Sequence, residues 1–248
     1  MFVAASTACF PDLELRDCIE RLGDLDFTAV EIILDENGEL KPSELIDDMD
    51  RAVQLLRHTH RMEISGYEVN LRTTGDEEFE RFERLCHLAK LTKVVTLTVN
   101  SGEHGTPFNE EVERLKRLVK IGDDEGVRVS VRCELGHLSD DPDTLMVFCN
   151  NIEGLGVTLD PSVPIAGGNQ SKNADKILPH VCNVHLRDTK PEQFQVSVGQ
   201  GQVDYAKLIT QLEREKYDRA LTVHMHPMDD LDHRVELRKL RRLLETLL

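Results

Sequence analysis

Apolar residues recur along the chain in two alternating rhythms. Short segments rich in Val, Ile and Leu with period-two alternation predict strands near 1–7, 28–34, 61–65, 93–100, 127–134, 155–160, 181–187 and 220–226. Between them apolar positions return every three or four residues, which predicts helices over 12–22, 42–58, 76–90, 109–121, 141–150, 171–178, 204–216 and 232–247. Leu45, Met49, Ala52, Val53 and Leu56 form one such stripe, and Phe79, Phe82, Leu85, Leu88 and Ala89 form another. Strands separated by helices require crossovers and so a parallel sheet, and eight repeats fit an α/β chain folded as a single (β/α)8 TIM barrel over residues 1–248. An open doubly wound sheet is the competing fold, but it often carries an early glycine-rich phosphate loop, and neither GxGxxG nor GxxxxGK[ST] occurs.

The later strands divide into an apolar and a polar side. Val129, Val131 and Cys133 oppose Ser130, Arg132 and Glu134; Val157 and Leu159 oppose Thr158 and Asp160. Cys182, Val184 and Leu186 oppose Asn183, His185 and Arg187, and Leu221, Val223 and Met225 oppose Thr222, His224 and His226. With the apolar side against the helices, the polar side points into the barrel, where its groups need hydrogen bonds, ion partners or a ligand. Glu31 and Glu63 are expected to face inward on strands two and three, with Arg132 neutralising one of them.

Composition narrows the function. A formal net charge of −16 disfavours nucleic acid and anionic membrane surfaces as partners. The six cysteines include no CxxC pair, which argues against a zinc knuckle or a disulfide scaffold. Without a signal-peptide pattern or an apolar run of transmembrane length, the expectation is a soluble cytoplasmic protein. Oligomeric state stays open, since many barrels form homo-oligomers through helices or loops.

Glu134, Asp160, His185 and His224 end four successive strands on the polar side. In a barrel they meet at the C-terminal mouth, where two carboxylates and two imidazoles can coordinate a divalent metal ion and leave positions for water or substrate. The segments "VRCELGH", "GLGVTLDPS", "CNVHLRDT", "VGQGQVDYAKLI" and "ALTVH" resemble, in order, landmarks of the sugar phosphate isomerase/epimerase superfamily, the xylose isomerase-like TIM-barrel family. The resemblance extends over almost the whole chain. It implies metal-binding Glu, Asp, His and Glu at the ends of strands five to eight, which carries over to Glu134, Asp160 and His185, with His224 where the last Glu is expected. Val163 stands where the family often has a substrate-contacting His.

The expected function is therefore a metal-dependent isomerase or epimerase acting on a small-molecule sugar or sugar derivative through an enediolate. Glu134 is the leading base, and the second proton-transfer role that a missing carboxylate leaves open falls to His226, to His224 if it is not a ligand, or to a group on another loop. The two histidines favour Mn or Zn over Mg or Co, which stay in play. A metal-assisted sugar lyase or hydrolase and a noncatalytic carbohydrate-binding relative are the alternatives. His137, Arg187 and Lys190 are candidate substrate-binding residues, and Asp188 could orient His185 or Arg187. "AGGNQSKN" and "GQGQ" offer backbone donors to a phosphate, and His104 lies in a loop that could close the pocket. His58 and His60 are spaced wrongly for one helical face.

Overall fold

The computed structural model describes residues 1–59, 62–168, 174–191 and 193–248. Eight parallel strands close into a barrel in the order β1-β10-β7-β6-β5-β4-β3-β2. These strands are β1 (Phe2–Ser6), β2 (Ala29–Asp35), β3 (Glu63–Asn70), β4 (Thr96–Val99), β5 (Arg128–Arg132), β6 (Gly156–Leu159), β7 (Val181–Leu186) and β10 (Ala220–Val223). Each falls at or inside its expected segment except β2, which ends one residue past 34, and β3, which runs five residues past its expected end at 65.

The outer ring comprises α1 (Leu15–Gly23), α2 (Pro42–Asp47), α3 (Met49–Arg57), α4 (Asp76–Thr92), α5 (Phe108–Glu125), α6 (Pro142–Asn151), α7 (Ser162–Ala166), α8 (Tyr205–Arg214) and α9 (His233–Leu247). The single helix expected over 42–58 is divided at Asp48, whose backbone leaves helical geometry and whose side chain accepts from Arg51 N–H to start α3. The helix expected over 171–178 is instead a 3-10 segment, Ala174–His180, with residues 171–173 outside the described part. The apolar stripes behave as their period requires: Leu45, Ala52 and Leu56 are buried, as are Phe82, Leu85, Leu88 and Ala89. They pack with Val129, Val131, Val157 and Val184 into one core between barrel and helices.

The barrel interior is polar and hydrogen-bonded, as the alternation predicted. Thr158 Oγ1 lies 2.8 Å from Thr98 Oγ1 and 2.6 Å from Ser130 Oγ, and Thr222 donates to Asn183 Oδ1 at 3.2 Å. Glu31 is buried inside, but Glu63 is exposed, correcting its expected inward place. Glu63 is the first residue of β3, at the open N-terminal end of the barrel; past it the register shifts, Val30 pairing with Ile64 but Glu31 with Gly66, which skips Ser65. Beyond the shift Tyr67 faces outward and bonds Thr92 of α4, so Glu68 faces in and is 1% exposed.

After β7 the chain forms a hairpin of β8 (Asp188–Lys190) and β9 (Gln193–Val196) before α8. Asp188 Oδ2 accepts from Gly199 and Gly201 N–H at 2.8 and 2.9 Å, tying the "GQGQ" turn to the hairpin. Gln200 N–H donates to Ser197 O and Gln202 N–H to Thr189 O, so all four amides of that turn are engaged within the chain and none is presented to a phosphate. Gly201 is needed there because a Cβ would collide with the Asp188 carboxylate and Thr189 N. Among the described residues no helix is long and apolar enough to cross a membrane.

Candidate metal centre and active site

Inside the mouth Glu31, Glu68, His185 and His224 each offer a ligand atom, and these atoms all lie within 4.8 Å of one another. Glu31 projects from β2, Glu68 from β3, His185 from β7, and His224 directly follows β10. Together they form a cluster able to hold a divalent ion. The cluster includes both expected histidines, His185 and His224, but its carboxylates are Glu31 and Glu68.

Glu134 and Asp160 lie beside it, engaged with arginines. Arg132 bridges Glu68 and Glu134. Arg187 reaches Asp160 Oδ2 at 3.1 Å, while Asp160 Oδ1 accepts from Ser162 N–H at 2.9 Å. Directly after β6, Asp160 thus turns the chain into α7 through Oδ1 and anchors Arg187 through Oδ2. Val163, next along, is buried in α7.

Hydrogen-bond accounting defines the state of His224. Its Nδ1 is 2.9 Å from Arg187 Nη2 and its Nε2 is 3.2 Å from Glu68 Oε2. A guanidinium only donates, so Nδ1 accepts and Nε2 carries the hydrogen given to Glu68. His224 is thus a neutral imidazole, and burial together with the charge of His185 holds its pKa well below the ordinary histidine value. His185 differs: its Nε2 lies 2.7 Å from Glu31 Oε2, and Asn183 Nδ2 donates to Glu31 Oε1 at 2.6 Å. Burial opposes the charged form of His185, but the adjacent Glu31 outweighs it and the pKa is raised. The rings stack with centroids 4.4 Å apart, a contact that two imidazolium ions would oppose.

Two features fit this donor set to a divalent ion. His185 Nδ1 is buried without a hydrogen-bond partner. Glu31, Glu68, Glu134 and Asp160 set four carboxylates against the two guanidinium groups of Arg132 and Arg187, an excess of acidic groups that a bound cation would offset. Burial works against ionisation of Glu68, yet Arg132 and His224 hold its pKa well below the usual carboxylate value.

The remaining expected site residues line the rim. His137 is partly buried, its Nδ1 3.8 Å from Glu134 Oε2, and that oxygen is itself buried without a hydrogen-bond partner. His226 is exposed, its ring centroid 5.6 Å from that of His224. Although the ring reaches solvent, the surrounding walls displace water, and this together with the nearby Arg187 lowers its pKa. The hairpin clamps the His226 backbone: Gln195 Nε2 donates to His226 O at 2.6 Å, and His226 N–H donates to Gln195 Oε1 at 2.9 Å. Phe194 stacks over the Arg187 guanidinium at 4.6 Å. Lys190 sits partly exposed on β8, and Asp188 is buried and committed to the turn, not to His185 or Arg187. His104 pairs with Asp140 at 2.9 Å on the loop side of the mouth. Exposed His58 bonds its own helix, while His60 and residues 169–173 of "AGGNQSKN" lie outside the described part.

Glu68 and Gln195 were not among the expected site residues. Glu68 was legible in "YEVN", where Tyr67 and Val69 alternate with it, but Gly66 resembled a strand end.

A family model described as Xylose isomerase-like TIM barrel matches residues 19–246. No curated protein matches the chain in sequence. Among solved structures, a D-tagatose 3-epimerase-like protein is 17% identical with a TM-score of 0.76, covering 100% of this chain and 98% of that one. A probable 3-DHS dehydratase from Bacillus anthracis is 14% identical with a TM-score of 0.77, covering 99% of each chain. A 3-keto-D-glucoside 4-epimerase from E. coli is 12% identical with a TM-score of 0.75, also covering 99% of each.

Proposed function

Since the chain belongs to the xylose isomerase-like TIM-barrel family, we propose that it is a metal-dependent isomerase or epimerase of a sugar or sugar derivative. The observation that carries this reading is the convergence of Glu31, Glu68, His185 and His224 within 4.8 Å at the floor of the mouth, in an interior short of positive charge. These four residues would hold the ion, with Mn or Zn favoured by the two imidazoles. A divalent ion bound there supplies electrostatic stabilisation to the oxygens of an enediolate. His224 would help hold the ion, and Arg187, whose guanidinium now donates to His224 Nδ1, could donate to a substrate oxygen instead.

Glu134 is the proton acceptor in this scheme, because one of its oxygens anchors on Arg132 while Oε2 lacks a hydrogen-bond partner. His226, kept neutral at pH 7 by its lowered pKa, takes the second proton-transfer role from the opposite rim. His137 and Lys190 orient substrate hydroxyls. The presence of an imidazole in place of a second carboxylate favours a second reading, a metal-assisted lyase, which needs no symmetric acid pair; one of the fold relatives is a probable 3-DHS dehydratase.

The test is calorimetric titration of EDTA-treated protein with Mn²⁺ and Zn²⁺, followed by a ketose panel in D2O. One bound ion per chain is expected, with affinity lowered about 10- to 100-fold in Glu68→Gln and His185→Ala. Glu134→Gln should retain the ion and lose solvent-deuterium exchange at the substrate carbon. If Glu134→Gln and Asp160→Ala lose the ion while Glu31→Gln and Glu68→Gln keep it, the carboxylates nearer the rim are the ligands. Absence of any stoichiometric ion rejects the metal enzyme and leaves a noncatalytic carbohydrate-binding relative.

A further inference from the structure

A cleft of about 190 Å³ opens at the mouth, between the loop after β1 and the loop after β2, and His226 forms the wall it shares with the candidate active site. Its other walls include Phe10, Leu13, Leu15, Ile33 and Leu40. Its polar groups are set apart from these apolar walls: Asn37, Glu39 and His226 are exposed at its edge, and two others are engaged within the chain. Thr7 Oγ1 accepts from Ile33 N–H at 3.0 Å. Asp35 accepts from Asn37 N–H at 2.8 Å through Oδ1 and from Arg72 at 3.2 Å through Oδ2. Glu39 is exposed at the edge of the cleft, where partial loss of water around its carboxyl raises its pKa.

A polyhydroxylated carbon chain fits these walls poorly. Each hydroxyl placed against Leu13, Ile33 or Leu40 would lose water without gaining a partner, at a cost of about 1–3 kcal/mol per group. An apolar ring loses nothing comparable, and a cavity of roughly 150 Å³ lined by aliphatic and aromatic side chains is known to accept benzene. We infer that the substrate is a sugar derivative carrying one ring-sized apolar substituent, which occupies this cleft while the sugar lies over the floor beyond His226. The inference rests on the sugar-site reading proposed above and adds to it the class of substituent.

Backbone amide NMR with phenol, myo-inositol and phenyl β-D-glucoside as probes tests it. Phenol should shift the amides of Gly38 and Leu40 saturably, and myo-inositol, a polyol of similar ring size, should bind there at least about tenfold more weakly. Phenyl β-D-glucoside should shift those amides together with those of Glu134 and Arg187 in the candidate active site. Leu13→Asn and Ile33→Thr change partly buried side chains, so each keeps the barrel, and each should weaken phenol binding about threefold to tenfold. Equal binding of phenol and myo-inositol, wild-type phenol affinity in both variants, or glucoside shifts confined to one of the two regions overturns the inference. Mn²⁺ titration of the same samples separates the two ideas. Lost metal binding with phenol selectivity intact removes the metal enzyme alone, and retained metal binding without phenol selectivity removes the apolar subsite alone.

Discussion

Replacing Arg132 with Met isolates the role of internal charge in this barrel. Arg132 emerges from β5 and joins Glu68, buried at 1% exposure, to Glu134 at the rim. Met conserves much of the apolar stem but removes both ion pairs, leaving Glu68 charged and buried with the His224 hydrogen bond of 3.2 Å as its remaining contact in the site. Breaking one side of a buried pair costs about 3–5 kcal/mol, a large share of a typical stability of about 5–15 kcal/mol. For a chain of this length that loss lowers Tm by about 6–20 °C.

Urea denaturation at pH 7, read by far-UV circular dichroism, gives the free energy directly. The wild-type pKa of Glu68 is lowered, so its contribution is present above the ordinary carboxylate value near 4.5 and disappears as pH falls through the lower folded value. The gap between variant and wild type should therefore narrow in acid. The double variant Arg132→Met/Glu68→Gln should recover about 1–3 kcal/mol relative to the sum of the single changes. Additive single and double variants, or a loss below about 1 kcal/mol for Arg132→Met, would refute the charge-balance reasoning.

Three further outcomes follow from the same contacts. Adding Mn²⁺ or Zn²⁺ should raise the Tm of Arg132→Met more than that of wild type, because the ion replaces lost positive charge beside Glu68; a differential scan with and without metal decides this. Gln195→Ala should cost about 1–2 kcal/mol and reduce kcat while leaving metal affinity unchanged, since it loses only the paired bonds to the His226 backbone; unchanged kcat would remove Gln195 as a positioning residue. Glu236 accepts from Val198 N–H at 2.7 Å, Ser197 at 2.9 Å and Lys239 at 2.5 Å, and these bonds lower its pKa against the effect of burial. Its stabilisation is present above the ordinary carboxylate value near 4.5 and is lost as pH falls through the lower folded value, so Glu236→Gln should flatten the acid limb of a stability–pH curve.

The residues themselves determined the barrel. Period-two strands with one apolar side, separated by period-3.6 helices, leave few other ways to bury Val129, Val131, Val157 and Val184 against Phe82 and Leu85. The inward course of Glu31, Arg132, His185 and His224 also followed from local alternation, which depends only on the pleat. Strand parity, however, does not survive a bulge. The skipped residue between Val30/Glu31 and Ile64/Gly66 put Glu68 inside, and no local pattern sets that register. Which carboxylate meets which cation was likewise a tertiary decision. Arg187 and Asp160 lie 27 positions apart, Arg132 and Glu68 lie 64 apart, and only barrel closure made them partners, since ion pairing depends on separation in space. The chain thus carried the list of chemical groups, while the closed sheet selected which of them share the floor.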